Sequence, residues 1–542
     1  MTLVIFSLTY CILSPAVPAW TAGLVVAALQ EPASLDPHQD LDPYAWTYIF
    51  PCYQRLVGFK ARSTEPAPSL AATWRVSDDG RLYTFIIKEG FTFSDGKPVN
   101  AEAVRFSFSR ATRLNRAGPA AFPYLSGLEV LGPNTIRFHL DRPWPAFPAA
   151  LATAPASIVS PGIQDQPPGF LDRRSLGSGL YTVKDWRAGR EIVLEARTDL
   201  VSRPRIDRLQ TLLVSRQDQL REMLCDGRVD LALNLDQDTV LLIKDEPRLE
   251  VQTAATCHIH FLALNVRRPW LDRVEARRAL AQAIDRQQLI ETAGDTVAMK
   301  MFGPIPKGLW GRHPDLAQYD YSPREASSLL DSNGRPGRDL IFLYNPVLIQ
   351  TKVAETIRLN LETLGLKTVL LPSSTPEART RWASGDYDLL LSTWRPVQAA
   401  PEAVLEKFFS PEAIGPEDNA AFYRNLDVGR LLKEAYAQND KRRRLSLLHQ
   451  IQIRVVEDVP YVFLYQSGYR VGLSRNFQGY YLNPHLPEVL PLDQMGPAPT
   501  LKIKPTPPPG PEVKKEKPDS KEAEKPETLS PPHGPVEKGI NL

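Results

Sequence analysis

Apolar runs of strand length alternate with amphipathic stretches of helix length through most of this 542-residue chain. Strands are predicted at LVVAAL (24–29), EIVLEA (191–196), LQTLLV (209–214), VDLALNL (229–235), IHFLALNV (259–266), DLIFLYN (339–345), LKTVLLP (366–372), YDLLLSTW (387–394) and YVFLYQ (461–466). Helices are predicted over 217–225, 274–293, 350–364, 428–437 and 441–456. Strands separated by helices of this length favour sheets covered by helices. The alternation therefore predicts an α/β fold between residues 20 and 496.

One block near the N-terminus follows a different pattern, VSDDGRLYTFIIKEGFTFSDGKPVNAEAVRFSFSR. It holds two Asp-Gly pairs, at 79–80 and 95–96, and Gly in such a pair takes positive φ at little cost. The stretch between the pairs alternates as a strand does, and a second strand is predicted across 91–93. Asn100 is placed to cap a helix. The block therefore predicts a β-hairpin that leads into an amphipathic helix.

The first residues have the features of a signal peptide. An apolar run over 4–13 has the length of a signal h-region and is too short for a membrane span. Small residues at 17 and 19 predict cleavage after Ala19, and hence a periplasmic or extracytoplasmic protein. The bulky Tyr10 before Cys11 departs from a lipoprotein box, so a lipid anchor at Cys11 is not expected.

Composition excludes several classes of protein. Lys and Arg number 64 against 62 acidic residues, so the chain lacks the basic excess of a nucleic-acid binder. Four cysteines are too few for a disulfide scaffold, although one disulfide among Cys52, Cys225 and Cys257 is possible in an oxidising compartment. Phosphate-loop, HExxH and GxSxG motifs are absent from the sequence. We therefore predict neither an enzyme nor a bound cofactor.

The C-terminal segment 497–542 has mixed charge, abundant Pro and almost no aromatic residues. Such a segment cannot bury enough apolar surface to offset the entropy lost on ordering. We expect a disordered tail that serves as a tether or is simply a solvated extension.

Six blocks occur in one order along the chain: EPASLDPHQD (31–40), the block 66–110, LGSGLYTVKDWRAGREIVLEA (176–196), LALNVRRPWLDRVEARRALAQAIDRQQLI (262–290), GDYDLLLSTW (385–394) and EDVPYVFLYQ (457–466). Together they resemble the large extracytoplasmic solute-binding proteins of ABC transporters, in the peptide and nickel-binding family. The resemblance extends from about residue 24 to 490.

The resemblance implies a two-lobed periplasmic-binding-protein fold of the class II type, with an extra subdomain in lobe I. The implied segments are 20–264 with 473–496 for lobe I, including a subdomain at about 66–175, and 265–472 for lobe II. Two crossovers, near Asn265 and near Val471, would form the hinge. Ligand would lie between the lobes and be trapped when they close. The Asp-Gly pairs are then turn formers rather than ligand contacts.

The resemblance also indicates where ligand would bind. It implies ligand-facing backbone near Leu41 and Pro43, with Tyr44 beside them, although a plain surface loop is the alternative. Asn234, at the end of a predicted strand, is a candidate for the cleft. Phe122 is a candidate for lining a pocket, with core packing as the alternative.

Trp394 and Arg395 end another predicted strand and are the most informative candidates. Peptide binders of this family usually carry an acid a few positions after this Trp, which pairs with the peptide amine. Here the third position after Trp394 is Val397, so that acid is absent. Arg395 instead offers two parallel donors to a carboxylate or phosphate. The alternative places its side chain in solvent.

His258 and His260 share a face if they lie in one strand, so both could approach a single metal ion. Two imidazoles form an incomplete ligand set, and packed histidines are the alternative.

From these features we expect a monomeric receptor that delivers oligopeptides or dipeptides to an ABC permease in the membrane. One alternative keeps the fold and binds a nickel chelate or another small anionic solute. Another is a sensory or scaffold protein that has lost transport, which the long tail would serve.

Overall fold

The structure is a computed structural model that describes residues 23–39, 42–114, 121–347 and 349–499. The predicted signal peptide, Cys11, Leu41 and the predicted tail beyond residue 499 lie outside the described residues.

The strands are β1 (Gly23–Ala28), β2 (Val57–Phe59), β3 (Pro66–Pro68), β4 (Ala71–Val76), β5 (Leu82–Ile87), β6 (Leu125–Gly132), β7 (Thr135–Leu140), β8 (Tyr181–Arg187), β9 (Glu191–Ala196), β10 (Arg208–Leu213), β11 (Leu231–Leu233), β12 (Leu249–Leu264), β13 (Met299–Lys300), β14 (Leu340–Tyr344), β15 (Thr368–Pro372), β16 (Leu389–Trp394), β17 (Tyr461–Ser474), β18 (Phe477–Gln478) and β19 (Gly496–Pro497). The helices are α1 (Pro43–Cys52), α2 (Ala101–Arg113), α3 (Phe147–Ala150), α4 (Phe170–Arg173), α5 (Gln217–Cys225), α6 (Gln237–Ile243), α7 (Val274–Ala283), α8 (Arg286–Ala293), α9 (Pro323–Asn333), α10 (Thr351–Glu362), α11 (Pro376–Ser384), α12 (Pro401–Phe409), α13 (Leu426–Ala437) and α14 (Lys441–Asp458). Two short 3₁₀ turns span Ala154–Ala156 and Pro161–Asp165.

A mixed sheet runs through the molecule in the order β15-β14-β16-β12-β17-β11-β1-β10-β9-β8, with β13 paired to β17. We call β1 and β8–β11 the first half and β14–β16 the second half. The antiparallel strands β12 and β17 belong to both halves. Their register shifts between Ala255 and Ile259, so the sheet is irregular where the halves meet. The predicted strand 259–266 is thus the end of a much longer strand.

Strands of the second half are covered on both faces, as their apolar runs predict. In β14, Leu340, Phe342 and Tyr344 pack in one buried cluster with α7–α10 residues. Leu343 points to the other face and packs in a separate cluster with residues of α12–α14. Alternate side chains therefore build two cores on one strand.

The N-terminal block forms a subdomain built on a four-stranded sheet in the order β4-β5-β7-β6. Gly80 has φ +69° in the turn between β4 and β5, and Asp79 Oδ1 accepts a hydrogen bond from the Arg81 N–H at 3.2 Å. Asn100 caps α2, accepting a hydrogen bond from the Ala103 N–H at 2.9 Å. The turn at Gly80, the strand that follows it and the helix cap at Asn100 are as predicted, and the hairpin joins β4 to β5.

Two local predictions are wrong. Residues 91–93 form no strand beyond one isolated bridge between Thr92 and Pro98, because β5 is already paired on both edges, by β4 and β7. The predicted helix 274–293 is two helices. Ile284 has extended dihedrals, and Asp285 caps α8 by accepting hydrogen bonds from the N–H groups of Gln287 and Gln288.

Cys52, Cys225 and Cys257 are all free thiols, so the disulfide left open by the sequence is not formed among the described residues. Burial raises the pKa of Cys52 and of Cys257 to about 12, which keeps both thiols protonated and unreactive. Within the described ranges, the structure holds no helix with the length and apolar character needed to cross a bilayer.

Candidate functional site

A cavity of about 590 Å³ lies between the two halves, beside the irregular part of β12 and β17. Its lining residues are Pro43, Tyr44, Gln217, Asn234, Leu235, Asp236, Gln237, Thr256, His258, Ala293, Gly294, Asp295, Arg395, Ser467, Gly468, Tyr469, Arg470, Pro487 and Glu488. Both halves contribute, so a molecule bound here would contact each of them.

The start of α1 supplies one wall from the first half. Pro43 occupies the first helical turn, where its missing N–H costs nothing, and Asp42 caps the helix through the Tyr44 N–H at 2.9 Å. Burial raises the pKa of Tyr44, with Glu488 and Asp42 acting in the same direction. Tyr44 is therefore a neutral hydroxyl at the cavity wall.

Asn234 follows β11 and lies on the same wall. Its φ of +55° falls in the left-handed region, which Asn adopts more readily than other non-glycine residues. Gln217 Nε2 donates to the Asn234 carbonyl oxygen at 2.9 Å. Asp236 then caps α6 through the Thr239 N–H at 2.8 Å. The strand end is thus held rigidly at the cavity edge.

Arg395 and Glu488 form a buried ion pair at the cavity. Arg395 follows β16 of the second half. Glu488 lies in the segment 481–494 between β18 and β19, which we call the C-terminal return, and its carbonyl accepts a hydrogen bond from the Thr47 hydroxyl of α1 at 2.7 Å. The guanidinium donates to both Glu488 carboxylate oxygens, at 2.7 and 2.8 Å, and to the His485 carbonyl at 3.1 Å. Glu488 holds the pKa of Arg395 above its usual value in spite of burial.

This pairing corrects the prediction for Arg395. The sequence suggested a fork open to a ligand carboxylate, or a side chain in solvent. The fork is instead occupied by Glu488, and the side chain is largely buried. Sequence reasoning missed Glu488, because it lies 93 residues away from Arg395 in a segment without periodicity.

A second ion pair, between Arg470 and Asp295, also lines the cavity. Asp295 accepts from Arg470 Nη2 at 2.5 Å and from the Gly468 N–H at 2.7 Å. Sequence reasoning also missed Asp295, although it follows Gly294, a left-handed residue that ends α8. The sequence signal that could have indicated Asp295 was an acidic residue directly after the glycine that ends a helix. The cavity lining therefore holds two ion pairs, and the carboxylate of Asp236 adds one further negative charge.

His258 and His260 lie on one face of β12 with ring centroids 5.2 Å apart, as predicted. His258 lines the cavity, whereas His260 is buried, stacks on Tyr465 at 4.2 Å and bonds Ser467 Oγ through Nε2 at 2.6 Å. Burial, reinforced by Arg395, lowers the pKa of His258 to about 4. Within the described ranges, no group of three or more metal-ligating side chains converges here or elsewhere.

Two predicted site residues lie elsewhere. Trp394 points to the face opposite Arg395 and packs edge-on against Phe408 at 5.5 Å, because successive strand residues alternate in direction. Phe122 is buried in the aromatic core of the subdomain, 5.1 Å from the Phe108 ring. Packing these large apolar rings against other side chains is more favourable in free energy than exposing them to water in the cavity. Neither residue lines the cavity.

Comparison with known protein families gives a match over residues 65–416 to the model for bacterial extracellular solute-binding proteins, family 5. This chain belongs to that family. One relative is the probable D,D-dipeptide-binding periplasmic protein DdpA of Escherichia coli K12. It is 30% identical to this chain over 489 residues, which cover 87% of this chain and 94% of DdpA. Heme-binding protein A of Haemophilus influenzae is 27% identical, covering 80% and 84%.

A solved structure shows the same architecture. HbpA2 from Haemophilus parasuis superposes with a TM-score of 0.80 at 22% identity, covering 88% of this chain and all of HbpA2. The predicted two-lobed α/β fold is thereby confirmed.

Proposed function

We propose that this solute-binding protein captures short peptides in the cavity between its halves and delivers them to an ABC permease. One observation carries the proposal. The cavity is lined from both halves and holds two ion pairs, Arg395 with Glu488 and Arg470 with Asp295. A peptide with free termini carries one ammonium and one carboxylate, which match such a lining.

The size of the cavity agrees with a short ligand. Small-molecule sites span roughly 300–1,000 Å³, and this cavity measures about 590 Å³. The name of the relative DdpA points to dipeptides, and its 94% coverage by this chain makes the comparison one of whole proteins.

Glu488 is the proposed acceptor for the peptide ammonium. Val397 occupies the third position after Trp394, where peptide binders of this family usually carry an acid. Its side chain packs on the core of the first half. A buried ammonium needs a partner. The Glu488 carboxylate has lone pairs beyond the two that Arg395 engages, so it can accept from ammonium without releasing the guanidinium. Pro43, Tyr44 and Asn234 would contact the ligand from the same side.

Closure would follow from contacts with both halves. A ligand shifts a two-state equilibrium only by its differential affinity for the two states. We place the hinge where the register of β12 and β17 breaks, between Ala255 and Ile259 in β12 and between Gln466 and Gly468 in β17. These positions lie several residues before the crossovers predicted near Asn265 and Val471, so the boundaries of the predicted lobes, 20–264 with 473–496 and 265–472, would move by the same amount. The protein would act as a monomeric, periplasmic receptor without catalysis of its own.

A small anionic solute is the second candidate. The missing acid at Val397 and the guanidinium of Arg395 favour it, provided that the solute displaces Glu488. Such a ligand would lack an ammonium and would bind as well to a Glu488→Gln variant.

Native mass spectrometry of the purified protein, followed by release under denaturing conditions, separates these candidates. Peptides among the released molecules would support the proposal. A single anion or a metal chelate would overturn it in favour of the second candidate.

A further inference from the structure

A second cavity, of about 330 Å³, lies in the first half. We call the cavity between the halves the cleft, to distinguish it from this one. Its wall comes from the end of α1, the β2–β3 hairpin, residues 179–181 and the C-terminal return over 481–494. None of these lining residues lines the cleft cavity. The two cavities are therefore separate sites.

Arg55 brings an uncompensated positive charge to this cavity. Its guanidinium lies 3.9 Å from the centre of the Phe50 ring, and Nη1 donates to the Tyr53 carbonyl oxygen at 3.1 Å. Nε is sealed from solvent without a hydrogen-bond partner, and no described carboxylate lies within 4.0 Å of the side chain. Burial alone lowers the pKa of Arg55 to about 10, so the group stays charged.

The other polar groups do not neutralise it. Lys60 is paired with Glu65 at 2.9 Å, and Asp493 lines the cavity without forming an ion pair with Arg55. The side-chain oxygen of Gln54 is buried and, among the described residues, has no partner. Other buried arginines have more partners: Arg110 pairs with Asp36, and Arg286 donates four hydrogen bonds to backbone carbonyls. An unpaired, partly desolvated guanidinium is costly, and an anionic ligand would remove that cost.

About half of the other lining residues are apolar, and the remainder are polar or glycine. The apolar part of the wall includes Phe50, Phe59, Leu180, Leu486, Val489 and Leu490. We propose that this cavity is a second ligand site, which takes a small carboxylate with an apolar body, the carboxylate on Arg55 and the body on this wall. A carboxylate in the cavity can accept hydrogen bonds from the outer guanidinium nitrogens, of which Nη2 has no hydrogen-bond partner among the described residues.

Calorimetric titration of the full chain with benzoate tests this site, with benzyl alcohol as the uncharged probe. We expect one benzoate per chain and at least about tenfold weaker binding of benzyl alcohol, since a charged hydrogen bond contributes about 1.5–3 kcal/mol. Arg55→Met removes the cation, and Gln54→Glu places a carboxylate beside it. Both variants should weaken benzoate binding at least about tenfold.

Arg216→Met is the matched control, because Arg216 is exposed and paired with Asp218 on the surface. It should bind benzoate as the parent does. Equal affinity for benzoate in Arg55→Met and the parent would overturn the proposal. So would loss of binding in an Arg395→Met variant that circular dichroism shows to be folded, because this result would place benzoate in the cavity between the halves. Gln54→Glu keeps the test decisive if Arg55→Met fails to fold.

Discussion

The guanidinium of Arg395 and the carboxylate of Glu488 face each other in a bidentate pair, with oxygen–nitrogen distances of 2.7 and 2.8 Å, that ties the end of β16 to the C-terminal return. Both side chains are largely buried. Because one comes from each half, the pair joins the halves at the cavity where ligand would bind.

Breaking this pair on one side should destabilise the protein strongly. Arg395→Met leaves Glu488 buried without its counter-charge, which costs about 3–5 kcal/mol. Replacing both residues, as in Arg395→Met with Glu488→Leu, should recover most of that loss. Urea unfolding gives the free energies. The control is Arg430→Met, which breaks an exposed pair with Glu434 and should change stability by less than about 1 kcal/mol.

If Arg395→Met proves as stable as the Arg430→Met control, the pair contributes nothing to the fold, and the described contact between the halves is not maintained in solution.

Glu488→Gln should weaken binding of Ala-Ala by about tenfold or more, because it removes the charge that receives the ammonium. The same substitution should leave N-acetyl-Ala-Ala, which has no ammonium, nearly unaffected. Titration calorimetry of both ligands measures the difference. Equal weakening of both ligands would assign Glu488 a purely structural role.

Gly177 allows almost no side chain. A Cβ at this position would overlap the carbonyl oxygen of Cys52 in α1 and meet the Tyr53 ring. We expect Gly177→Ala to destabilise the protein by about 1–3 kcal/mol through overpacking. Gly132→Ala is the control, since a Cβ there meets no described atom within 4 Å. Thermal unfolding compares the variants, and equal melting temperatures would contradict the described packing.

Acid should destabilise the protein in part through His38. Its Nε2 bonds the Ser157 carbonyl at 3.0 Å and its Nδ1 accepts from Arg110 at 2.9 Å, so the buried ring is neutral. Burial lowers the pKa of His38 from 6.5 to about 4. The unfolded chain therefore binds more protons in this range. The stability contributed is full above pH 6.5 and is lost as the pH falls towards 4.

His38→Gln should reduce the slope of unfolding free energy against pH by up to about 1.4 kcal/mol per pH unit near pH 5. Urea unfolding between pH 4.5 and 7 measures this slope. An unchanged slope would show that His38 titrates alike in the folded and unfolded chains.

Local sequence signals predicted most of the elements. The helix predicted over 217–225 begins and ends at those residues, and the cap at Asn100 and the turn at Gly80 are as expected. These features depend on side chains within a few residues of one another, so a short stretch of sequence contains their cause. The break at Asp285 was missed, because an Asp inside an amphipathic pattern also fits an exposed helix position.

The site was less predictable, because it depends on partners far apart in the chain. Tyr44 and Asn234 line the cavity. The family resemblance indicated Tyr44, and the end of a predicted strand indicated Asn234. Glu488 was missed because nothing local marks a carboxylate that meets a distant arginine, and for Asp295 the only local signal is the helix cap at Gly294. Trp394 was assigned to the cleft, although alternation along β16 sends it to the opposite face from Arg395.

The central claim is that the cleft binds a short peptide through both of its termini. Titration calorimetry of the ligand-free protein with Ala-Ala, in its L,L and D,D forms, tests it most directly. The account predicts saturable binding of one dipeptide per chain in at least one configuration, and loss of that binding when both termini are blocked. Absence of binding to either form, or equal binding of the doubly blocked peptide, would contradict it.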